Sequence, residues 1–302
     1  MSEVKKIATR MSYGNALVEL GKEHDDLLVF EADLGGATKT TIFRDVFPDR
    51  HIECGIAEAN MVGMAAGIST TGVVPFVSSF AMFTAGRAFD QLRNSVGYPH
   101  LNVKVGATHQ CNEDFALMRT IPGMVVICPS DDVEARAAVK AAYEYKGPVY
   151  MRFGRVAVPV INDNPDYKFE IGKGVTLKDG KDLTIIANGI LVSESLQAAE
   201  MLAKDGINAR VINMHTIKPL DKDLVIKAAK ETGKIVTVEE HSVIGGLGSA
   251  VADVVSEENL APVHKIGVQD VFGESALAEE LLEKHRLDAK GIYNNIKDYL
   301  NK

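Results

Sequence analysis

Residues 125–151, VVICPSDDVEARAAVKAAYEYKGPVYM, contain one complete strand–helix–strand pattern. The β-branched run 125–127 predicts a buried strand, and residues 129–131 (Pro-Ser-Asp) offer N-cap side chains for a helix over 132–145. A second apolar run at 149–151 predicts the next strand. Because strands alternating with helices of this length are typical of a parallel sheet, the stretch predicts an α/β fold.

The same alternation extends on both sides of this stretch. Upstream, strands are predicted at 27–30, 73–77 and 103–105, and helices at 11–23, 57–68 and 81–94. Downstream, strands are predicted at 183–187, 209–214 and 235–238, and helices at 192–204, 247–255 and 287–301. We therefore expect two consecutive domains, each a mostly parallel sheet flanked by helices. The predicted bounds are 1–160 and 182–302, with a proline- and glycine-containing linker over 161–181.

Composition and charge exclude several classes of protein. The 302 residues are 46% hydrophobic and 25% charged, which is ordinary for a globular protein and excludes a disordered or collagen-like chain. The net charge of −8, without a basic stripe, argues against nucleic-acid binding. No apolar run is long enough to cross a bilayer, and residues 1–10 lack the apolar core of a signal peptide. Three widely spaced cysteines fit a reducing compartment, so we expect a cytoplasmic protein without membrane association.

Glu58 is the first candidate functional residue. It ends the run Cys54-Gly55-Ile56-Ala57-Glu58 and is followed by a predicted helix of small residues. A glutamate in a first helical turn is by itself explained by the helix dipole. Here nearly every neighbour is small or apolar, which predicts a buried carboxylate that needs a partner and whose proton affinity is raised by desolvation.

Phe80 and Phe83 lie in the next segment, three residues apart at a predicted strand-to-helix turn. A lone phenylalanine pair is usually ordinary core. In an α/β fold, however, ligands bind beyond the carboxyl ends of the strands, which is where this pair is expected. Together with Glu58 the two rings would form a flat, apolar slot with one hydrogen-bonding carboxylate.

Eight short motifs follow one another along the chain, and they are Ala8-Thr9-Arg10, Glu31-Ala32-Asp33-Leu34, Gly55-Ile56-Ala57-Glu58, Ser79-Phe80-Ala81-Met82-Phe83, Gly86-Arg87-Ala88-Phe89-Asp90-Gln91, Arg152-Phe153-Gly154-Arg155, Glu239-Glu240-His241 and Gly245-Gly246-Leu247-Gly248. Each motif is weak alone, but the set is specific in this order and spacing. With it, the chain resembles the C-terminal half of the transketolase family, a pyrimidine-binding domain followed by a C-terminal domain. The resemblance runs nearly end to end.

The resemblance implies thiamine diphosphate as the cofactor and gives roles to four residues around it. Glu58 matches the glutamate that hydrogen-bonds the ring nitrogen of the aminopyrimidine and so favours the imino tautomer. Phe80 and Phe83 match the aromatic pocket around that ring. Asp33 matches an acidic residue near the cofactor at the subunit interface.

The resemblance also implies a sugar phosphate substrate. Arg10 and Arg155 match arginines that bind the phosphate, a task that suits the bidentate guanidinium. The family has a serine where this chain has Ala37, so we expect a weaker or rearranged phosphate contact. A family loop with two histidines and a substrate-binding aspartate is about a dozen residues shorter here. His109 remains as the catalytic and substrate-binding histidine, and we expect the shortened loop to impair sugar turnover.

The amino-terminal half of the family is absent from this sequence. That half carries a Gly-Asp-Gly motif that binds Mg²⁺, and no Gly-Asp-Gly occurs here. The resemblance therefore implies an N-terminal partner subunit that supplies the Mg²⁺ ligands and holds the diphosphate, with no metal ligand in this chain. It also implies homodimer contact through the pyrimidine-binding domain, and hence a heterotetramer.

Three functions are compatible with these residues. The first is a split transketolase subunit of the pentose phosphate pathway, which moves a two-carbon ketol unit from a ketose phosphate to an aldose phosphate. The second is the beta subunit of a 2-oxoacid dehydrogenase's decarboxylating component, which shares the layout and the glutamate. Arg10 and the segment 79–91 favour transketolase over this second function. The third is a non-catalytic assembly subunit of a transketolase complex, which the shortened loop makes credible.

A glycine-rich turn, Gly245-Gly246-Leu247-Gly248, follows a predicted strand in the second domain. It lacks the G-x-G-x-x-G spacing of a dinucleotide-binding loop. We expect these glycines to serve close packing of a helix on the strand instead.

Overall fold

The computed structural model describes residues 5–164 and 166–301. It divides into two compact units between Ile171 and Gly172. This division falls inside the segment predicted as the linker, 161–181, and the predicted domain bounds stay predictions. Each unit is a mostly parallel sheet flanked by helices, which confirms the predicted fold class.

The first unit alternates strands and helices. Its strands are β1 (Lys6–Ala8), β2 (Leu27–Glu31), β3 (His51–Glu53), β4 (Val74–Phe80), β5 (Lys104–Thr108), β6 (Val125–Ile127), β7 (Val149–Phe153) and β8 (Ala157–Pro159). Its α-helices are α1 (Thr9–Glu23), α2 (Gly35–Thr38), α3 (Thr41–Val46), α4 (Glu58–Ser69), α5 (Phe89–Gln91), α6 (Asp114–Thr120) and α7 (Asp132–Glu144). Every strand predicted in this half of the chain is present. The short elements β1, β3, β8, α2, α3 and α6 were not predicted, because they are too short to show a periodic apolar pattern.

The main sheet of this unit has the strand order β6-β7-β5-β4-β2-β3, and its neighbouring strands run parallel. Phe80 pairs with Thr108 and Thr108 pairs with Phe153, so β4, β5 and β7 end level with one another. Glu31, the last residue of β2, pairs with Ser78 near the end of β4. The loops after these strands therefore leave the sheet at one edge, where ligands bind in parallel α/β folds.

The prediction of one regular helix over 81–94 is wrong. Two π-helical turns, Phe83–Arg87 and Leu92–Gly97, flank the short helix α5. The backbone N–H of Ala88 donates to the carbonyl of Phe83, five residues earlier, where an α-helix would use the fourth. This wide turn brings the guanidinium of Arg87 to 4.0 Å from the ring centroid of Phe83.

The helix start predicted at residues 129–131 is confirmed. Asp131 is the N-cap of α7, and its Oδ1 accepts from the backbone N–H of Glu134 at 2.9 Å. Its Oδ2 accepts from the N–H groups of Ile161 and Asn162, each at 2.7 Å. One buried carboxylate thus caps the helix and ties the chain beyond β8 to it.

The second unit repeats the alternation. Its strands are β9 (Val175–Lys178), β10 (Leu183–Ala187), β11 (Ala209–Asn213), β12 (Thr216–Lys218), β13 (Ile235–Ser242) and β14 (Val263–Val268). Its helices are α8 (Leu191–Lys204), α9 (Lys222–Thr232), α10 (Leu247–Glu257), α11 (Ala278–Lys284) and α12 (Ala289–Leu300). The sheet order is β14-β13-β10-β11-β9, in which β9 is antiparallel to β11 and the other pairs are parallel. Strand β9 lies inside the predicted linker, and β12, β14, α9 and α11 were not predicted.

The glycine-rich turn packs α10 on β13, as expected. A Cβ at Gly246 would collide with the carboxylate of Glu239. That carboxylate accepts from the backbone N–H groups of Leu247 at 2.6 Å and Gly248 at 2.8 Å. The chain's own glutamate therefore fills the positive end of this helix, where a dinucleotide phosphate would otherwise bind.

Lys104, the first residue of β5, is fully buried. Its Nζ donates to Oδ1 of Asn102 and to the backbone carbonyls of Tyr145 and Gly147, each at 2.7 Å. These bonds fasten the amino end of β5 to the chain that follows α7. Removal of the ammonium would deprive three acceptors of their donor.

We expect Lys104→Met to lower the free energy of unfolding by about 2–4 kcal/mol, because methionine fills a similar volume but donates no hydrogen bond. Lys140→Met is the matched control, since Lys140 is an exposed lysine on α7, and it should change stability by less than about 0.5 kcal/mol. Urea denaturation followed by circular dichroism measures both values. Equal effects of the two substitutions would contradict this role of Lys104.

Candidate active site

Glu58 begins α4 and is 4% exposed, as predicted for a carboxylate at a buried helix start. Its Oε1 accepts from Nη1 of Arg87 at 3.2 Å. Within the described residues its other oxygen makes no hydrogen bond. This second oxygen is therefore available to a ligand that donates a hydrogen bond.

Phe80 ends β4 and Phe83 opens the first π-helical turn, and both rings are half-buried. The ring centroids are 5.7 Å apart, with an angle of 29° between the ring planes. Arg87 joins this pair to the carboxylate, since its guanidinium lies over Phe83 and donates to Glu58. The structure thus brings together the two rings and the carboxylate of the predicted slot.

His109 follows β5 directly and packs on Phe80, with ring centroids 4.1 Å apart. Its φ of 70° is in the left-handed region, and its Nδ1 is 2.8 Å from Oγ1 of Thr108. Burial, Arg10 and Arg155 lower the pKa of the imidazole to about 4. The ring is therefore neutral at physiological pH and offers one N–H and one lone pair.

Arg10 and Arg155 lie close enough to His109 to act on its charge. The backbone N–H of Arg10, in the first turn of α1, donates to the carbonyl of Gly154 at 3.3 Å, and Arg155 follows directly. Nη1 of Arg10 donates to the carbonyl of Ala37 at 2.9 Å, while its Nε has no partner among the described residues. Burial and the charge of Arg155 lower the pKa of Arg10. An anion between the two guanidinium groups would relieve this repulsion.

Asp33 is exposed on the turn after β2, with a φ of 58°. Its backbone N–H donates to Oε1 of Glu53 at 2.7 Å, and the N–H of Gly55 donates to the same oxygen at 3.0 Å. Glu53 therefore holds the Asp33 turn beside the loop that leads into Glu58. The Asp33 carboxylate makes no hydrogen bond or ion pair with the described residues, so its role near the cofactor stays a prediction.

Glu31 was not among the predicted site residues, although it stands in one of the quoted motifs. It is fully buried, and its carboxylate accepts from the hydroxyls of Thr38 and Thr40, each at 2.6 Å, and from the N–H of Ala32 at 3.1 Å. Burial raises the pKa of Glu31 to about 7, against the effect of these hydrogen bonds. Thr38 thus bonds to Glu31 and does not replace the serine hydroxyl that is absent at Ala37. The sequence signal that could have identified Glu31 is a charged residue at the end of an apolar strand.

The loop after His109 is anchored by a buried ion pair. Arg152 and Asp114 are 3% and 0% exposed, with Nη1 and Oδ1 3.5 Å apart. Arg152 also donates to the carbonyl of Cys111 at 3.0 Å, and the hydroxyl of Tyr150 donates to Asp114 at 2.7 Å. The loop is therefore a fixed turn, and Asp114 serves the scaffold. This pairing joins residues far apart in sequence, which is why it was not predicted.

Two further observations concern metals and membranes. Across residues 5–164 and 166–301, no three His, Cys, Asp or Glu side chains are grouped so that they could hold a metal ion. The helices in that part of the chain lack the combination of length and apolar character that a membrane span requires.

The sequence matches two domain families along most of its length. Residues 5–160 match the pyrimidine binding domain of transketolase, and residues 172–292 match the transketolase C-terminal domain.

Three similar proteins span almost the whole chain. A putative transketolase C-terminal section from Methanocaldococcus jannaschii is 47% identical over 307 residues, covering 97% of this chain and 96% of that protein. A 6-deoxy-6-sulfo-D-fructose transketolase subunit from Clostridium sp. (strain MSTE9) is 43% identical over 296 residues, covering 94% of this chain and 91% of that protein. A solved structure described as a split gene transketolase, inactive beta4 tetramer, has a TM-score of 0.92 and 52% identity, covering 98% and 99% of the two chains. With both domain families matched and with relatives of this identity and coverage, the chain belongs to the transketolase family.

Proposed function

We propose that this chain is the pyrimidine-binding subunit of a two-subunit transketolase that uses thiamine diphosphate and Mg²⁺. The reaction would transfer a two-carbon ketol unit from a ketose phosphate to an aldose phosphate. The observation that carries the proposal is the Glu58 carboxylate, which is 4% exposed and has one oxygen bonded to Arg87 and the other open. It lies near the Phe80–Phe83 pair, and a flat ring that carries a protonated nitrogen fits this arrangement.

Glu58, Arg87, Phe80 and Phe83 have separate roles at the pyrimidine end of the site. When bound, the cofactor supplies a nucleophilic carbon and an electron sink for the transfer. Glu58 accepts a hydrogen bond at its open oxygen and so holds a proton on the ring nitrogen, while Arg87 keeps the carboxylate oriented. Phe80 and Phe83 orient the ring and exclude water from it.

Arg10, Arg155 and His109 form the proposed substrate end of the site. Arg10 keeps an unpartnered Nε, and both guanidinium groups lie near a neutral imidazole. Guanidinium groups bind tetrahedral anions through their N–H donors. One relative is described as acting on 6-deoxy-6-sulfo-D-fructose, so both a phosphorylated and a sulfonated ketose should be tried as donors.

A partner subunit is part of the proposal. The described residues contain no metal-binding cluster, so we assign the Mg²⁺ ligands and the diphosphate to an N-terminal transketolase subunit. Two copies of each chain would form a heterotetramer, with homodimer contact through the pyrimidine-binding domain. The solved relative is described as an inactive beta4 tetramer, which supports both self-association and dependence on a partner. The proposed setting is the pentose phosphate pathway in the cytoplasm.

The shortened loop favours one other function, a non-catalytic assembly subunit. Arg152 and Asp114 hold this loop in place, which suits a subunit whose role is structural. Against this function, a subunit without chemistry has no use for the open oxygen of Glu58. The beta subunit of a 2-oxoacid dehydrogenase is disfavoured by the two arginines, which suit a phosphorylated substrate, and by the transketolase relatives.

The first prediction concerns the partner. The chain alone is expected to bind thiamine diphosphate weakly and to turn over no substrate, because its described residues hold no Mg²⁺ site. Isothermal titration calorimetry with cofactor and Mg²⁺, in the presence and absence of the partner subunit, measures the difference. Tight, Mg²⁺-dependent binding by the chain alone would refute the split-site proposal.

The second prediction concerns Glu58. Glu58→Gln keeps an acceptor for Arg87 but loses the carboxylate, so turnover of the reconstituted complex should fall by about a hundredfold or more, with a smaller loss of cofactor affinity. Glu144→Gln is the control, since Glu144 is an exposed glutamate at the end of α7. Exchange of the thiazolium proton, followed by NMR, is the direct measurement. An unchanged exchange rate in Glu58→Gln would show that the carboxylate does not act on the cofactor.

The third prediction concerns His109. His109→Ala should slow single-turnover ketol transfer by about tenfold or more while leaving thiazolium proton exchange unchanged, because the ring lies at the substrate end of the site. Since the pKa of His109 is about 4, the imidazole is neutral throughout the working range, and the loss should be the same at about pH 6 and about pH 8. Rapid-quench kinetics at both values provide the test. A loss that changes tenfold between them would mean that His109 titrates there and acts as an acid or base.

A further inference from the structure

Glu31 is a buried carboxylate to which the mechanism above assigns no task. It ends β2, is fully buried, and makes no ion pair with the described residues. Its Oε2 accepts from the hydroxyls of Thr38 and Thr40, and its Oε1 accepts from the N–H of Ala32. Burial of a carboxylate without a cation is unfavourable unless several donors surround it, and here three donors do so.

The three donors lie at the two ends of one segment, residues 32–40. Ala32 opens the segment, while Thr38 and Thr40 close it, so the Glu31 carboxylate holds both ends together. Gly35 lies against the same group, since a Cβ there would be 3.2 Å from Oγ1 of Thr40 and 3.5 Å from Cγ of Glu31. The segment therefore has one packed conformation fixed on this carboxylate.

The same segment holds Arg10. The carbonyl of Ala37, within helix α2, accepts from Nη1 of Arg10 at 2.9 Å. This is the hydrogen bond that orients the guanidinium, because Nε of Arg10 has no partner among the described residues. A shift of the 32–40 segment would move the Ala37 carbonyl and release Arg10.

We propose that Glu31 is a positioning residue that fixes Arg10, through Thr38 and the Ala37 carbonyl, for the anionic end of the sugar substrate. The inference rests on the proposed function, because it takes Arg10 as a ligand of that anion. The same contact explains why Thr38 does not bind the anion, since its hydroxyl already donates to Glu31. Loss of Glu31 should therefore weaken binding of substrates with a phosphate and spare the step that depends on Glu58.

The kinetic test uses the reconstituted complex with two substrate pairs. The phosphorylated pair is xylulose 5-phosphate and ribose 5-phosphate, and the unphosphorylated pair is hydroxypyruvate and glycolaldehyde. The variants are Glu31→Gln, Glu31→Ala and Thr38→Val, with Thr41→Val as the matched control. Thr41 lies just beyond the segment, and its hydroxyl makes no hydrogen bond with the described residues.

In Glu31→Ala and Thr38→Val, KM for the phosphorylated donor should rise by about tenfold, the equivalent of one lost charge-assisted contact. KM for hydroxypyruvate should change by less than about twofold, and kcat should change little with either pair. Glu31→Gln should lie between wild type and Glu31→Ala, because its amide oxygen still accepts from the threonines. Equal KM changes with both pairs, or the same split in Thr41→Val, would overturn the proposal.

A second measurement needs no turnover and separates this inference from the proposed function. The Nε–H signal of Arg10 in the chain alone, assigned by its loss in Arg10→Lys, reports solvent exchange of the guanidinium by NMR. Exchange should accelerate by about tenfold or more in Glu31→Ala and Thr38→Val and stay unchanged in Thr41→Val. If neither variant alters it, Glu31 does not position Arg10, whatever the complex transfers. If exchange accelerates but the wild-type complex turns over neither pair, the proposed function is at fault.

Discussion

The parallel register of β2, β4, β5 and β7 is the constraint on which the candidate site depends. Phe80, Thr108 and Phe153 pair across three strands, so the chain leaves those strands at one level. His109 follows Thr108 directly and Arg155 lies two residues beyond Phe153, so this register brings the two side chains near each other although they are far apart in sequence. A slip of one residue in a single strand would turn its side chains to the opposite face and separate the site.

Unused hydrogen-bonding capacity distinguishes the site from the scaffold around it. Asp114 is matched by Arg152 and Tyr150, and it anchors a loop. Glu31 is matched by two hydroxyls and a backbone N–H, and it orders a segment. Glu58 is nearly as buried but keeps one oxygen open, because Arg87 bonds only the other. Among these buried carboxylates, the incompletely paired one is therefore the group suited to a ligand.

Local patterns predicted the long strands of the first unit, three strands of the second, the Asp131 cap and the burial of Glu58. Each of these follows from neighbours within a few residues in sequence. Contacts across the fold were not predictable in this way. The Arg87–Glu58 bond depends on a π-helical turn where the periodicity predicted a regular helix. The bond from Arg152 to the Cys111 carbonyl depends on the pairing of β5 with β7, which no local pattern specifies.

The most direct test of the central claim, that the open oxygen of Glu58 receives the ring of the cofactor, is a structure of the chain with its partner subunit, thiamine diphosphate and Mg²⁺. The account predicts that this oxygen lies within about 2.6–3.2 Å of the pyrimidine ring nitrogen, with the ring against Phe80 and Phe83 and the diphosphate on the partner. A pyrimidine ring bound elsewhere, with Glu58 still bonded only to Arg87, would contradict it.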